Sequence, residues 1–428
     1  MRGLVIGAAG TVAATVLTAP AAAATTAADT TAATRAAAPA AVSASGGARV
    51  SSARWRGAGL RAGSGRGWAV RAGAVRITRP TSRVRTGGRT YDRVRWTSPW
   101  AKVGFGAGEV IASWTAVTPR RTWISVSVKV RTADGRTGSW DQVARWAHTG
   151  KAIDRRSGRA QRDDLARLVT DVVKTRGGAR ARGWRIRVDL HRPAGSSATP
   201  RLTSVGAVAS VRARAARATS TPRRASRVAL TVPRYSQMLH RGTYGQWGGG
   251  GAAWCSPTST AMVLRAQGRG PKPRAYAWVR RDVPQRFVVH AARGTYDHRY
   301  RGTGNWPFNT AYAGSYGTDA FVTRLTSLRQ AEAFVRAGIP LVLSIRFGAG
   351  ELAGAPISST AGHLVVLRGF TASGDALVND PAARRRSGVD RRYRRDQLER
   401  AWLRGSGGTT YVVRTPGRSL PPLPGHRW

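Results

Sequence analysis

The feature that most constrains the fold of this chain is a change of texture near its middle. Residues 211–228 read Val-Arg-Ala-Arg-Ala-Ala-Arg-Ala-Thr-Ser-Thr-Pro-Arg-Arg-Ala-Ser-Arg-Val, too few large apolar side chains to offset the entropy of ordering them. The segment reads as a linker, and the regions on either side carry different hydrophobic periods. At 428 residues the chain exceeds the usual domain size of roughly 100–200 residues. Two folding units are therefore expected, over 67–210 and 229–416.

The first unit alternates. Ile124, Val126, Val128 and Val130 are separated by Ser125, Ser127 and Lys129, the two-residue period of a strand with one face in the core. Asp134-Gly135 then gives a hairpin turn signal with Trp140 on the return. The run Trp184-Arg-Ile-Arg-Val-Asp-Leu190 repeats the pattern, and one helix is predicted over Asp163 to Lys174. The sum predicts an all-β, sandwich-like accessory domain. Its tryptophans are expected in the core, with stacking on sugars or envelope polymers as the functional alternative.

The second unit mixes helices and strands. Ser327 and Gln330 form a capping pair ahead of a helix with Leu328, Ala331, Phe334 and Val335 on one face, closed by Gly338 and Pro340. A buried strand, Leu341 to Phe347, follows. A second helix is expected from an Asp396 cap with Glu399 three residues on, through Leu398, Trp402 and Leu403, to a stop at Gly405, and Thr409 to Arg414 reads as the last strand. This is an α+β pattern.

At the N-terminus, Arg2, the uncharged apolar stretch Gly3 to Leu17 and the small residues Ala22 to Ala24 predict a secretory signal over 1–24. A disordered Ala/Thr/Gly/Arg-rich linker is expected over 25–66, and a tail over 417–428. No later run approaches the roughly 18 apolar residues of a membrane span. The expectation is a monomer that is secreted or associated with the cell wall, without a span in its mature form. The net charge of +51 comes almost wholly from arginine, since lysine occurs only at 102, 129, 151, 174 and 272. Such a charge attracts polyanions. For an exported chain these are anionic envelope polymers, and no zinc-finger spacing, basic heptad region or RNA-binding aromatic signature points to specific nucleic acid.

The chain has one cysteine, which cannot form an internal disulfide. Cys255 follows a glycine run in Gly248-Gly-Gly-Gly-Ala-Ala-Trp-Cys-Ser-Pro-Thr-Ser. Pro257 suits the first turn of a helix and Ser256 its cap. The thiol is thus predicted at a helix N-terminus, where orphan N–H groups and the helix dipole stabilise a thiolate. A thiolate nucleophile needs a base, and the base needs an orienting group. His363 opens the apolar run Gly362-His-Leu-Val-Val-Leu367, and Asp375-Ala-Leu-Val-Asn-Asp-Pro381 follows a turn at 371–374. If Phe370 faces Asp375, Val365 faces Asp380, which brings Asp380 within diagonal reach of His363 and points Asn379 away. A slip of one residue would reverse both faces.

Gln237 in Val232-Pro-Arg-Tyr-Ser-Gln, Trp-Cys-Ser-Pro-Thr-Ser-Thr-Ala-Met-Val-Leu around Cys255, Gly-His-Leu-Val-Val and Val-Asn-Asp-Pro together resemble the C39-like cysteine peptidases of papain-like fold, in their secreted actinobacterial form. The resemblance covers 229–416. It implies a hydrolase of peptide bonds in which Cys255 attacks, His363 is the base, Asp380 orients it and Gln237 donates to the oxyanion, with peptide or cell-wall peptide as substrate. It implies no cofactor, and the histidines lack zinc-site spacing. Two features differ from the family: Ser256 stands where glycine is common, and the stretch from Gln237 to Cys255 is long. Gln246 is accordingly a second candidate for the oxyanion donor. Asn305-Trp-Pro-Phe-Asn309 and Tyr312 could line the cleft, although a packed aromatic loop is the default. The competing reading is an inactive papain-like domain, with the β-domain and basic surface serving as an envelope-binding module.

Overall fold

The period-two segments become strands. Trp123–Arg131 and Ala181–Pro193 pair antiparallel from Gly183↔Arg131 to His191↔Trp123, and Ile124, Val126, Val128 and Val130 are all buried. The computed structural model describes residues 47–150, 153–161, 164–213 and 218–428. The expected signal over 1–24, residues 25–46 of the expected linker and residues 214–217 lie outside the described residues.

The first region is two antiparallel sheets. One runs in the order Ala166–Val169, Val172–Thr175, Glu109–Val117, Arg201–Val211, Ala74–Ile77, Trp68–Arg71, with Arg49–Arg56 also pairing to Arg201–Val211. The other runs Arg156–Ser157, Asp141–Trp146, Trp123–Arg131, Ala181–Pro193, Arg89–Thr97, Ser82–Thr86, with Ala101–Ala107 pairing to Ala181–Pro193. Edge-to-face tryptophans join the sheets, Trp55 to Trp184 at 5.7 Å and Trp114 to Trp146 at 6.4 Å. Trp96, Trp114, Trp123, Trp146 and Trp184 are buried, so their rings pack the core and are closed to sugars.

Three local expectations are corrected here. Asp163 to Lys174 is not a helix: its described part forms the hairpin Ala166–Val169 and Val172–Thr175. Ala166 and Leu168 are buried while Arg167 and Val169 are exposed, and the β-branched Val169, Thr170, Val172, Val173 and Thr175 favour that extended form. Residues 49–56 of the expected linker are a strand instead, because Arg49–Arg56 pairs along its whole length, from Arg49↔Val211 to Arg56↔Ser204. A ladder of backbone hydrogen bonds needs little apolar surface from the added strand, so composition misses it. Residues 211–228 are also tied down where described. Ser220 N and Oγ each donate to the Glu399 carboxylate at 2.7 Å, and Arg223 N donates to Glu332 at 2.8 Å. Two buried carboxylates anchor this segment where apolar burial could not.

The second region has a central antiparallel sheet in the order Asp319–Arg324, Thr409–Arg414, Leu341–Phe347, Thr360–Phe370, Ala376–Asn379, Asp390–Tyr393, with Val228–Ala229 at Thr360–Phe370. Its helices are α1 (Cys255–Ala266), α2 (Arg286–Thr295), α3 (Trp306–Gly314), α4 (Leu328–Arg336) and α5 (Arg395–Ser406). Ser327 caps α4 as expected, accepting from Gln330 N, but the Gln330 side chain accepts from Thr326 N at 2.9 Å, so the reciprocal bond is made one residue earlier. Asp396 does not cap α5. The helix begins at Arg395, Asp396 pairs with Arg400 at 3.0 Å, and Gly407 at φ 69° closes it in place of Gly405. Glu399 is drawn off the helix start by Ser220 and Leu328 N.

The two regions share one apolar core. Phe308 of α3 packs against Trp114 at 6.2 Å and Trp146 at 5.4 Å. A Cβ at Gly314 would lie 2.6 Å from Thr115 Cγ2, so glycine permits the contact of α3 with Glu109–Val117. The expected tail returns to the first sheet: Ser52 N donates to Gly425 O at 2.9 Å and Arg427 N to Ser52 O at 3.1 Å. Polar ties cross the same seam, with Arg324 on Glu109 at 2.5 Å and Asp319 held by both Arg54 and Arg414, the latter at 2.7 Å. Burial would raise the Asp319 pKa, yet Arg54 and Arg414 hold it below the usual carboxylate range. Asp319→Asn is expected to cost about 2–3 kcal/mol in urea denaturation, because it leaves two buried guanidiniums without a counter-charge. A cost under about 1 kcal/mol would show that the network does not join the regions.

Candidate active site

Cys255 is the first residue of α1, with Trp254 at the N-cap position. Ser256 is therefore inside the helix, and its hydroxyl meets Tyr411 Oη at 2.9 Å. The expected Ser256 cap is corrected: the turn ahead of the helix places the boundary one residue before Cys255. Gly248, Gly249 and Gly250 all have positive φ, at 77°, 87° and 82°, a path that a run of glycines follows without strain. Directly after it, a Cβ on Gly251 would lie 2.2 Å from Gln237 O. Close backbone approach at that point lays the cysteine loop against the Gln237 turn.

His363 lies on Thr360–Phe370, buried opposite Ile345. Its Nε2 is 2.8 Å from Asp380 Oδ1, which leaves Nδ1 as the nitrogen open to the thiol. Burial alone would lower the His363 pKa, but the Asp380 carboxylate beside it, with the neighbouring Cys255 adding to its effect, raises it to about 10. Asp380 is fully buried. Its Oδ1 also accepts Ala382 N at 2.9 Å and its Oδ2 accepts Tyr393 Oη at 2.7 Å. Burial pushes its pKa up, and His363, Tyr393 and the Ala382 N–H outweigh that to hold it low.

The hairpin register was expected to be uniform and is not. Phe370 pairs with Ala376 and Gly369 with Leu377, whereas Leu367 pairs with Val378 and Val366 with Asn379. The turn is one residue longer than expected, and a bulge at Arg368 returns the strands to the expected register before the site. Asn379 faces away, its amide donating to Val232 O at 3.2 Å and Pro233 O at 3.1 Å.

Gln237 is buried beside this pair, and its backbone N donates to Pro381 O at 2.9 Å. Its Nε2 donates one hydrogen to Ala252 O at 2.8 Å, leaving a second hydrogen. Gln237, Cys255 and His363 line one cleft of about 840 Å³. Gln246 is exposed and is not among the residues that line it. Of the aromatic segment, Trp306 lines the cleft while Phe308 and Tyr312 are fully buried.

Two residues at the site were not found in the sequence. Tyr393 ends the strand Asp390–Tyr393, whose arginines masked its strand character. Asp171 comes from the first region, where the β-hairpin turn Thr170-Asp171 forms part of the cleft wall. Its Oδ2 accepts Trp306 N at 2.8 Å, and burial pushes its pKa up to about 7. The turn signal was present as Thr-Asp between Leu-Val and Val-Val, but the helix expectation absorbed it. Among the described residues, no group of three or more His, Cys, Asp and Glu side chains is placed to hold a metal ion. No helix among them is long and apolar enough to cross a membrane.

Comparison with known families matches residues 51–210 to a Peptidase C39 N-terminal domain and residues 229–409 to the Peptidase C39 like family. Among solved structures, one assigned to the C39-like peptidases of Bacillus anthracis is similar at 19% identity, covering 44% of this chain and 97% of that chain, with a TM-score of 0.30. No match was found among curated proteins.

Proposed function

We propose, for a chain whose two regions belong to the C39-like peptidase family, that it is an exported thiol peptidase hydrolysing amide bonds through Cys255, His363 and Asp380. The observation that carries this reading is the 2.8 Å contact of His363 Nε2 with a fully buried Asp380, in the cleft that holds Cys255 at the start of α1. Asp380 fixes the tautomer and orientation of the imidazole, so that Nδ1 can take the thiol proton. The thiolate attacks the substrate carbonyl carbon, and the oxyanion is met by the Cys255 backbone N–H and the second Nε2 hydrogen of Gln237. The C–N bond breaks as the imidazolium gives its proton to the leaving amine. Water, deprotonated by His363, then cleaves the thioester and restores the thiol.

Peptides, including peptide cross-links of the cell wall, are the substrate class this reading assigns. The positively charged start and apolar stretch at residues 2–17 support export. N-terminal sequencing of protein from the culture medium is expected to begin after Ala24, and finding it only inside the cell with Met1 intact would remove that part of the proposal. Iodoacetamide is expected to label Cys255 at one equivalent per chain near neutral pH, with His363→Ala slowing the reaction by about tenfold or more. Labelling at the rate of a free thiol, unchanged by His363→Ala, would dissolve the proposed thiolate–imidazolium pair.

A further inference from the structure

Away from the Cys255 cleft, a cavity of about 740 Å³ opens at the seam between the first region and α2. Its lining, among the described residues, carries four side-chain cations, Arg155, Lys272, Arg274 and Arg293, together with His148 and His290 and no carboxylate. Arg155 is only 4% exposed. Its guanidinium donates to the carbonyls of Ala147 and His148, each at 3.2 Å, and of Arg293. Among the described residues no carboxylate pairs with it: the neighbouring Asp154 instead meets Arg156 at 3.3 Å and His298 at 3.8 Å. A buried charge without a paired counter-charge is costly, and burial and Arg293 push the Arg155 pKa down to about 10 against the weaker opposing pull of Asp154. Among the described residues, Arg155 Nε and His148 Nδ1 are buried without a hydrogen-bond partner. Buried polar atoms are nearly always satisfied; Arg155 Nε–H is a donor, and His148 Nδ1 is one in the tautomer that carries its proton there, so both can donate to an oxygen partner from the cavity side.

We propose that this cavity is an oxyanion-binding site, taking a phosphate-class dianion whose occupancy clamps the first region to α2. Guanidinium and ammonium groups carried by residues of one cavity lining are charge-assisted donors of the kind that a tetrahedral oxyanion accepts. A dianion also compensates more of the cluster than a single carboxylate can. The site is separate from the Cys255 cleft, and the proposal stands whether or not the chain is a peptidase.

The test is calorimetric titration of the full chain with inorganic phosphate, against a sodium chloride background of matched ionic strength. One saturable site per chain is expected, together with a rise in Tm of about 2 °C at ten times Kd. Lys272→Ala with Arg274→Ala, both at exposed rim positions, is expected to weaken binding at least tenfold while leaving the fold intact. Arg85→Ala with Arg89→Ala removes the same charge from an exposed hairpin of the first region and is expected to leave binding unchanged. Sulfate is expected to compete and acetate to bind at least tenfold more weakly. Equal loss in both double variants would reduce the effect to general charge attraction and overturn the site. Acetate binding as tightly as phosphate would overturn the dianion assignment, and no saturable binding below about 10 mM phosphate would overturn both.

Discussion

Cys255→Ala is expected to lower the rate of amide hydrolysis by at least about 10⁴-fold, equivalent to roughly 5.5 kcal/mol of transition-state stabilisation. The size follows from the chemistry, because no other side chain lining the cleft is a thiol. In the proposed mechanism the oxyanion donors and substrate contacts remain in the variant, and they are expected to support only the residual rate of a site without its nucleophile. His363→Ala is expected to cost a similar factor. The double variant is expected to be no slower than either single one, since nucleophile and base act as one unit. The measurement is kcat/KM on the best peptide from a library or peptidoglycan screen, with circular dichroism showing that each variant is folded. A Cys255→Ala protein retaining a tenth of wild-type activity would end the thiol mechanism.

Asp380→Ala is expected to be the most destabilising change at the site, at about 3–5 kcal/mol. It strands the His363 ring nitrogen, the Ala382 N–H and the Tyr393 hydroxyl in a place without solvent. Tyr393→Phe removes one of those donors and keeps the carboxylate, so its expected cost is about 1 kcal/mol. The pH dependence separates a charged pair from simple packing. His363 has a folded pKa above its unfolded value of about 6.5, so its contribution is full below that pH and is lost as pH rises through about 10. Asp380 has a folded pKa below its unfolded value of about 3.9, so its contribution is present above that pH and is lost as pH falls through the folded value. The stability difference between wild type and Asp380→Ala is therefore expected to be widest from about pH 4 to 6.5 and to narrow on either side. Urea midpoints at pH 5.5, 8 and 10 check this, and a difference constant across them would mean that the pair is not ionic.

Much of the site was legible because its signals are local. The glycine run, the aromatic before Cys255 and Pro257 three residues into the helix describe a tight loop entering a helix, and the loop and helix form there. The Ser256 cap failed because cap position depends on where the preceding turn ends, and Trp254 had already taken that role. The His363–Asp380 contact was reached through a register that held only near the site. A longer turn and the bulge at Arg368 made equal and opposite shifts, and alternation of apolar residues records neither. Asp396 and Glu399 carried an ordinary helix-start signal, yet Glu399 is buried beneath Ser220 and Leu328. Nothing local distinguishes a capping carboxylate from one recruited by a distant segment.

The change of texture at 211–228 divides the chain into a β region and an α+β region, and the sequence by itself determined that division, since hydrophobic period is a property of neighbouring residues. It also determined the nucleophile candidate, because only one cysteine is present. Only the tertiary structure decided that the described parts of 211–228 are anchored by Glu399 and Glu332, that both regions share one core, and that Asp171 reaches the Cys255 cleft. Each of these depends on contacts between residues tens to hundreds of positions apart. Long-range packing of that kind selects among partners that local periodicity leaves equivalent.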